Sequence, residues 1–149
     1  MCQKNNIQKR FTAGTICYKV LYNSFVKGYL SMYQRTSWKL GQIRKTGFYK
    51  LSLSQIEQYY HSFDNIDFGF FHAFPTLEEA IRFQSIISES FFSPPFRHLI
   101  SRFPIAEMRI PEDVNGFSGT YFDYAEVFDS IAVPILEFVK IVDQNVSIQ

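Results

Sequence analysis

Cysteine is scarce in this chain, which has only Cys2 and Cys17 among its 149 residues. Two cysteines are too few for the disulfide framework of a small secreted domain. No apolar run is long enough for a transmembrane helix, because prolines and charges interrupt the longer ones. The first residues contain no apolar segment of the kind found in a secretory signal. These absences predict reduced thiols and a cytoplasmic protein, or one in a host cytoplasm or a virion if it is viral.

Several classes of protein are excluded by missing motifs. The sequence has no heptad, internal repeat or glycine period, which excludes coiled coils, solenoids and collagen. It has no phosphate-binding glycine loop, no Cys-x-x-Cys pair and no G-x-S-x-G motif. Its histidines and cysteines do not have the spacing of metal ligands. We therefore expect no metal and no cofactor.

The order of the predicted elements indicates an α+β fold in a single domain, with a mostly antiparallel mixed sheet. Residues rich in β-branched and aromatic side chains predict strands at 15–22, 28–33, 106–110, 124–128 and 136–142. Residues 115–119 (Asn-Gly-Phe-Ser-Gly) predict a turn or a mobile loop. Residues 1–14 are expected to form a flexible polar tail, which leaves 15–149 as one globular domain.

A further strand is predicted over residues 67–74, with aromatic side chains and a histidine on one face. This face consists of Phe68, Phe70, His72 and Phe74. One interpretation of His72 is a buried core residue with a hydrogen-bonded ring nitrogen. The other is an acid–base or hydrogen-bonding group at the mouth of a pocket lined by rings.

Two helices are predicted from capping boxes, in which Ser or Thr is followed three residues later by Glu. Thr76 and Glu79 match this pattern directly after Pro75, and apolar residues then recur at spacings of three and four. This predicts a main helix over about 77–90. Ser54 and Glu57 predict a shorter helix, and we expect one or two short helices in all.

Acidic residues are absent from the first third of the chain. Residues 1–50 contain ten lysines and arginines and no aspartate or glutamate, a net charge of +10. Residues 51–149 contain fourteen acids and five bases, a net charge of −9. This division indicates either a basic binding face or mutual neutralisation between oppositely charged strands.

Aromatic residues are interleaved with the cations of this first third. Cations that contact phosphates beside rings that stack on bases are typical of single-stranded nucleic-acid binders. The candidate anion-binding residues are Lys27, Arg35, Trp38, Lys39, Arg44 and Lys45.

Residues 69–80 (Gly-Phe-Phe-His-Ala-Phe-Pro-Thr-Leu-Glu-Glu-Ala) resemble a G-F-H-x-F-x-T-x-x-x-A signature of small uncharacterised phage and bacterial modules. Residues 18–20 (Tyr-Lys-Val), 38–41 (Trp-Lys-Leu-Gly) and 109–114 (Arg-Ile-Pro-Glu-Asp-Val) are similar to other short motifs of the same modules. The resemblance extends loosely over residues 16–140. It implies no established activity.

A second resemblance is to the ADP-ribosyltransferase fold of the His-Tyr-Glu type. Residues 21–24 (Leu-Tyr-Asn-Ser) are similar to its L-Y-H-G-T motif, residues 69–71 to G-I-Y-F, and residues 125–128 (Ala-Glu-Val-Phe) to its late glutamate motif. The resemblance implies a nucleotide-binding cleft lined by Asn23, Phe71, His72 and Glu126.

This second resemblance departs from the family's pattern at two catalytic positions. Asn23 replaces a histidine and Phe71 replaces a tyrosine, whereas Glu126 keeps its residue type. It therefore implies ligand binding rather than transfer. For an enzyme, Asn23, His72 and Glu126 would be the catalytic residues.

Three functions follow as alternatives. The first is a non-enzymatic intracellular interaction module of phage or bacterial type, which binds nucleic acid or an acidic protein through its basic and aromatic first third. The second is a diverged ADP-ribosyltransferase-like domain with a nucleotide cleft. The third is a structural or virion component without a small ligand.

Overall fold

The structure, a computed structural model, describes residues 3–32, 36–59, 65–66, 69–91, 102–123 and 125–144. The strands are β1 (Gln3–Phe11), β2 (Ile16–Asn23), β3 (Tyr29–Ser31), β4 (Ser37–Trp38), β5 (Ile43–Lys45), β6 (Asn65–Ile66), β7 (Phe71–Ala73), β8 (Ile105–Arg109), β9 (Val114–Asp123), β10 (Glu126–Val133) and β11 (Ile135–Ile141). The helices are α1 (Leu53–Glu57) and α2 (Leu77–Phe91).

These strands form two sheets, and the pairings between them are antiparallel. One sheet has the order β6-β1-β9-β10-β7, and the other has the order β4-β3-β2-β8-β11-β5. Strands dominate the fold, and α2 is the main helix. The predicted α+β class with a mostly antiparallel sheet is confirmed.

Three long segments of the chain each contribute one strand to the first sheet and one strand to the second. They are β1 with β2, β8 with β9, and β10 with β11, and they are interrupted at residues 12–15, residues 110–113 and Pro134. The pairing continues across the interruptions, since Phe11 pairs with Val114 and Ile16 pairs with Arg109. The two sheets therefore share one bent three-stranded ladder, to which each adds its remaining strands.

The six-stranded sheet is curled. Its outermost strands, β4 and β5, are joined by residues 39–42 alone. In a flat sheet with strands about 4.8 Å apart, these two strands would lie about 24 Å from each other. The chain from Trp38 to Ile43 spans at most about 18 Å. The sheet must curl, and Trp38 lies inside the curl.

The strand β7 provides a second connection between the two sheets. Its residues pair with β10, and Phe74, which follows it, exchanges backbone hydrogen bonds of 2.7 and 2.9 Å with Tyr18 of β2. The buried Phe71 ring of β7 then meets the Trp38 ring edge-on, with centroids 5.0 Å apart. This contact fills the interior of the curl.

A second aromatic cluster lies under α2, which packs against β2, β8 and β10. The buried Phe83 ring of the helix lies 5.3 Å from Phe74, 5.9 Å from Tyr121 and 5.3 Å from Phe128, between centroids. Each such ring removes roughly 150–250 Å² from water. The helix is thus held on the sheets mainly by apolar contact.

The start of α2 confirms the predicted boundary. The Thr76 hydroxyl accepts a hydrogen bond of 3.3 Å from the Glu79 N–H, as an N-cap does. The Glu79 carboxylate does not complete the capping box but accepts the Asp129 N–H at 2.8 Å and pairs with Arg82 at 3.1 Å. No helix in the described part of the chain is long and apolar enough to cross a membrane.

The shorter helix begins earlier than predicted. Ser52, rather than Ser54, is the N-cap of α1, and its hydroxyl accepts the Gln55 N–H at 3.2 Å. The Gln55 side chain accepts the Ser52 N–H in return at 2.8 Å.

The predicted N-terminal tail is wrong, because residues 3–11 form β1. The strand is polar and mostly exposed, and its backbone pairs with β9 from Gln3 to Phe11 around a bulge. Gln3 is buried, and its side-chain carbonyl accepts a hydrogen bond of 2.8 Å from Ser130. A polar sequence therefore enters the sheet through backbone pairing and one buried amide.

The predicted loop at 115–119 is also wrong, because these residues lie within β9. The φ of Gly116 is not positive, so the glycine is not needed for a turn conformation. A Cβ at this position would collide with the Ala132 carbonyl oxygen and the Phe11 ring. Glycine is required here by the close approach of the next strand.

The strand predicted over 67–74 is shorter in the structure. β7 begins at Phe71, because Gly69 has φ +83, outside the extended region. The Phe48 ring occupies the space that a Cβ of Gly69 would need. Residues 67–68 lie outside the described residues.

Candidate anion-binding surface

The cations of the first third form no ion pairs with the acids that the structure describes. These cations are Lys4, Lys9, Arg10, Lys19, Lys27, Lys39, Arg44, Lys45 and Lys50. All except Lys19 and Arg44 are exposed. Arg35, a predicted anion-binding residue, lies outside the described residues.

The cross-strand partners of these cations are neutral. Lys9 pairs with Gly116 and Arg10 with Asn115 on β9. On β5, Arg44 pairs with Leu136 and Lys45 with Ile135. The strand pairing thus gives no support to the alternative in which the basic strands are neutralised by acidic neighbours.

Two cations later in the chain behave differently. Arg82 pairs with Glu79 and with Glu126, each at 3.1 Å. Arg109 of β8 pairs with Glu137 of β11 at 2.9 Å. Acids therefore neutralise these two cations, whereas the positive charge of the first third faces solvent.

Trp38 does not lie on this surface. Its side chain is 2% exposed, and its indole N–H donates a hydrogen bond of 2.9 Å to the Ser31 hydroxyl. A base cannot stack on a ring with both faces inside the core. Trp38 therefore has a structural role, and its ring is not accessible for the predicted contact with an anionic partner.

The predicted lysines are divided between the two ends of the six-stranded sheet. β2 and β4 both pair antiparallel with β3, so they run in the same direction. The turns that follow them hold Lys27 and Lys39, which therefore lie at the same end. Lys45, at the far end of β5, is roughly 10 Å further along the sheet.

Arg44 lies between these two groups and is half-buried. Its guanidinium donates a hydrogen bond of 3.0 Å to the Ser37 carbonyl oxygen and lies 5.8 Å from the Trp38 ring centroid. These contacts hold β4 against β5 and occupy part of the guanidinium. Arg44 is thus partly structural, although no acid of the described residues pairs with it.

A ring with two nearby cations lies at the Lys45 end. The Lys45 and Lys50 ammonium groups are 4.5 and 6.0 Å from the centroid of Tyr49. The Tyr49 hydroxyl donates to the Glu112 carboxylate, which raises the pKa of this phenol. We call Lys45, Tyr49 and Lys50 the Tyr49 surface.

A second ring with nearby cations lies in the turn after β2. Phe25 is 65% exposed, and the Arg102 guanidinium lies 5.5 Å from its centroid. Lys27 is exposed in the same turn. We call Phe25, Lys27 and Arg102 the turn surface. The sequence signal that would have found Phe25 is a large apolar residue beside a lysine in a predicted turn.

Lys19 is the exception among the first-third cations, since it is buried. It lies on the face of β2 that carries Cys17 and Leu21, and its ammonium donates to the His72 carbonyl oxygen. Burial lowers the pKa of Lys19 from 10.5 to about 8. Burial also raises the pKa of the Cys17 thiol to about 12, which removes its thiolate at neutral pH.

The residues of the predicted nucleotide cleft are separated in the structure. Ala132 is the cross-strand partner of His72, and Glu126 lies about 20 Å from Ala132 along β10. The Glu126 carboxylate instead pairs with Arg82. Phe71 and His72 are consecutive in β7 and point to opposite sides of the sheet.

Asn23 and His72 of that cleft have structural surroundings of their own. The Asn23 side-chain oxygen accepts a hydrogen bond of 3.1 Å from the Phe25 N–H. His72 is buried, as the core interpretation predicted. In residues 69–91 and the other described ranges, no three acidic, histidine or cysteine side chains form a group that could hold a metal ion.

Comparison with known proteins identifies no relative of this chain. No protein-family model, curated protein or solved structure matches the chain.

Proposed function

We propose that the protein is an interaction module that binds an anionic partner, a nucleic acid or an acidic protein, through the exposed cations of its first third. The observation that supports this is the unpaired charge: seven exposed cations lie in this third, and none forms an ion pair with a described acid. They are Lys4, Lys9, Arg10, Lys27, Lys39, Lys45 and Lys50.

The physical reason is that unpaired exposed cations keep their counterions until a polyanion displaces them. The released ions make such binding strongly dependent on salt concentration. Where a carboxylate already neutralises a cation, as at Arg109, less charge is available to a partner. The first third is therefore the part of the described surface best suited to an anion.

The experiment measures binding by fluorescence anisotropy, with a labelled single-stranded oligonucleotide and a labelled polyglutamate peptide. We expect one of them to bind and its affinity to fall as salt increases. The double variants Lys27→Gln/Lys39→Gln and Lys45→Gln/Lys50→Gln should each weaken binding at low salt and reduce the salt slope by about 2.

Lys140 provides the matched control. It is an exposed lysine outside the first third, and its cross-strand partner is Glu107. Lys140→Gln should leave the affinity nearly unchanged. Absence of binding to both probes at low salt, or an equal loss in Lys140→Gln, would contradict the proposal.

A further inference from the structure

The turn between β2 and β3 holds two apolar side chains in solvent. Phe25 is 65% exposed and Val26 is 91% exposed. Neither side chain packs into the core that the structure describes. Adjacent exposed apolar side chains form a patch of the kind that marks interaction sites.

Hydrogen bonds hold this turn in one shape. The Asn23 side chain accepts the Phe25 N–H at 3.1 Å, and the Ser24 hydroxyl accepts the Lys27 N–H at 2.6 Å. The Ser24 N–H donates to the Gly28 carbonyl oxygen at 3.1 Å. The Phe25 ring is therefore presented without the disorder of a free loop, which lowers the entropy lost on binding.

The backbone of Phe25 is strained. Its φ of 61° lies in the left-handed region, which a bulky side chain rarely adopts. Glycine would be more stable at this position in the turn. Strained residues cluster at functional sites, so this conformation supports a functional role for the Phe25 side chain.

A guanidinium lies beside the ring, and a lysine follows it closely in the sequence. The Arg102 guanidinium lies 5.5 Å from the centroids of both Phe25 and Tyr22, and it donates a hydrogen bond of 3.1 Å to the Tyr22 hydroxyl. Lys27 is exposed two residues from Phe25, and residues 22–28 contain no acid. The turn surface thus offers an exposed ring with an arginine in contact and a lysine in the same turn.

We infer that the turn surface binds a single-stranded nucleic acid, with one base stacked on Phe25 and the adjacent phosphates held by Lys27 and Arg102. This inference rests on the proposed function and names the partner. An acidic protein would need the cations alone, whereas an unpaired base beside its phosphates uses both an exposed ring for stacking and nearby cations.

The experiment compares two labelled oligomers of equal length, oligothymidine and an abasic backbone. Phe25→Ala should weaken binding of oligothymidine about tenfold and leave binding of the abasic oligomer nearly unchanged. Lys27→Gln should weaken the binding of both oligomers. Phe25→Gly, which suits the positive φ, should reproduce the result of Phe25→Ala in a stable fold.

Phe122 supplies the matched control. Its side chain is 64% exposed, but it lies on β9 next to Asp123 and opposite Val127. Phe122→Ala should bind both oligomers as the natural protein does. Phe25→Trp should keep the affinity, and its added exposed indole should lose fluorescence when oligothymidine binds.

The outcomes separate the two proposals. If the protein binds oligothymidine and Phe25→Ala and Phe25→Gly bind it equally well, the stacking inference is overturned and the proposed function stands. If polyglutamate binds and neither oligomer does, the partner is an acidic protein and the inference is likewise overturned. If no polyanion binds, both proposals are overturned.

Discussion

The Lys19 ammonium donates a hydrogen bond to the backbone carbonyl oxygen of His72, which connects β2 to β7 inside the protein. No acid of the described residues pairs with this buried cation. Its charge is therefore stabilised by a carbonyl dipole alone and remains unfavourable relative to water. The consequence is a pKa of about 8 for Lys19, below its ordinary value of 10.5.

Stability should therefore rise with pH above neutrality. Between about pH 8 and pH 10.5 the unfolded chain holds the Lys19 proton more tightly than the folded one, so the free energy of unfolding increases. Urea melts should show a gain of about 1 kcal/mol from pH 7 to pH 9 in the natural protein relative to Lys19→Met.

Cys17 limits the pH range of this comparison. Its pKa is raised by burial from 9.0 to about 12, so the folded state retains a proton that the unfolded state loses. Stability from this group falls as pH rises between those values. Cys17→Ala should remove that fall. An unchanged pH dependence in Lys19→Met would show that Lys19 is not buried as described.

Gly116→Ala should destabilise the protein by about 1–3 kcal/mol, because the added methyl group collides with the Ala132 carbonyl oxygen. Gly47→Ala is the control, since a Cβ there meets nothing within 4 Å. Thermal melts of the two variants measure the difference. A Gly116→Ala variant as stable as Gly47→Ala would show that β9 and β10 are not packed as closely as described.

Thr76→Ala should cost about 1 kcal/mol, because it removes the hydroxyl that accepts the Glu79 N–H at the start of α2. Phe70→Ala should cost more, about 3–5 kcal/mol, since its buried ring contacts Phe48 and Phe117 with centroids 5.5 Å apart in each case. Urea melts of both variants test the ranking. Equal losses would contradict the placement of Phe70 in the core.

Trp38 fluorescence reports whether the tryptophan is structural. It is the single tryptophan, so the emission of the natural protein comes from one buried indole. We expect emission at short wavelength in the folded state, a shift to longer wavelength on unfolding, and no quenching by bound oligonucleotide. Quenching on binding would instead support the contact predicted from the sequence.

The sequence predicted those elements whose signals are local. The start of α2 depends on a hydroxyl and an N–H three residues apart, so Thr76 and Glu79 suffice to locate it. The hairpin of β2 with β3 likewise involves neighbouring segments. In both cases the stabilising contacts are made within a few residues, where a sequence pattern can show them.

Long-range contacts account for the errors. Gly116 is in a strand because of the Ala132 carbonyl on the next strand, and β1 forms because β9 pairs with it. For the candidate site, the basic character of the first third was visible in composition, but the burial of Trp38 was not. It follows from the curl of a sheet whose strands come from both halves of the chain.

The shared ladder constrains the order in which the molecule can form during synthesis. β1 pairs mainly with β9, and most of β2 pairs with β8, so their partners emerge from the ribosome about a hundred residues later. Closing so long a loop is slow, because its entropy must be lost before the contacts form. β1 and most of β2 therefore remain without these partners until β8 and β9 have been synthesised.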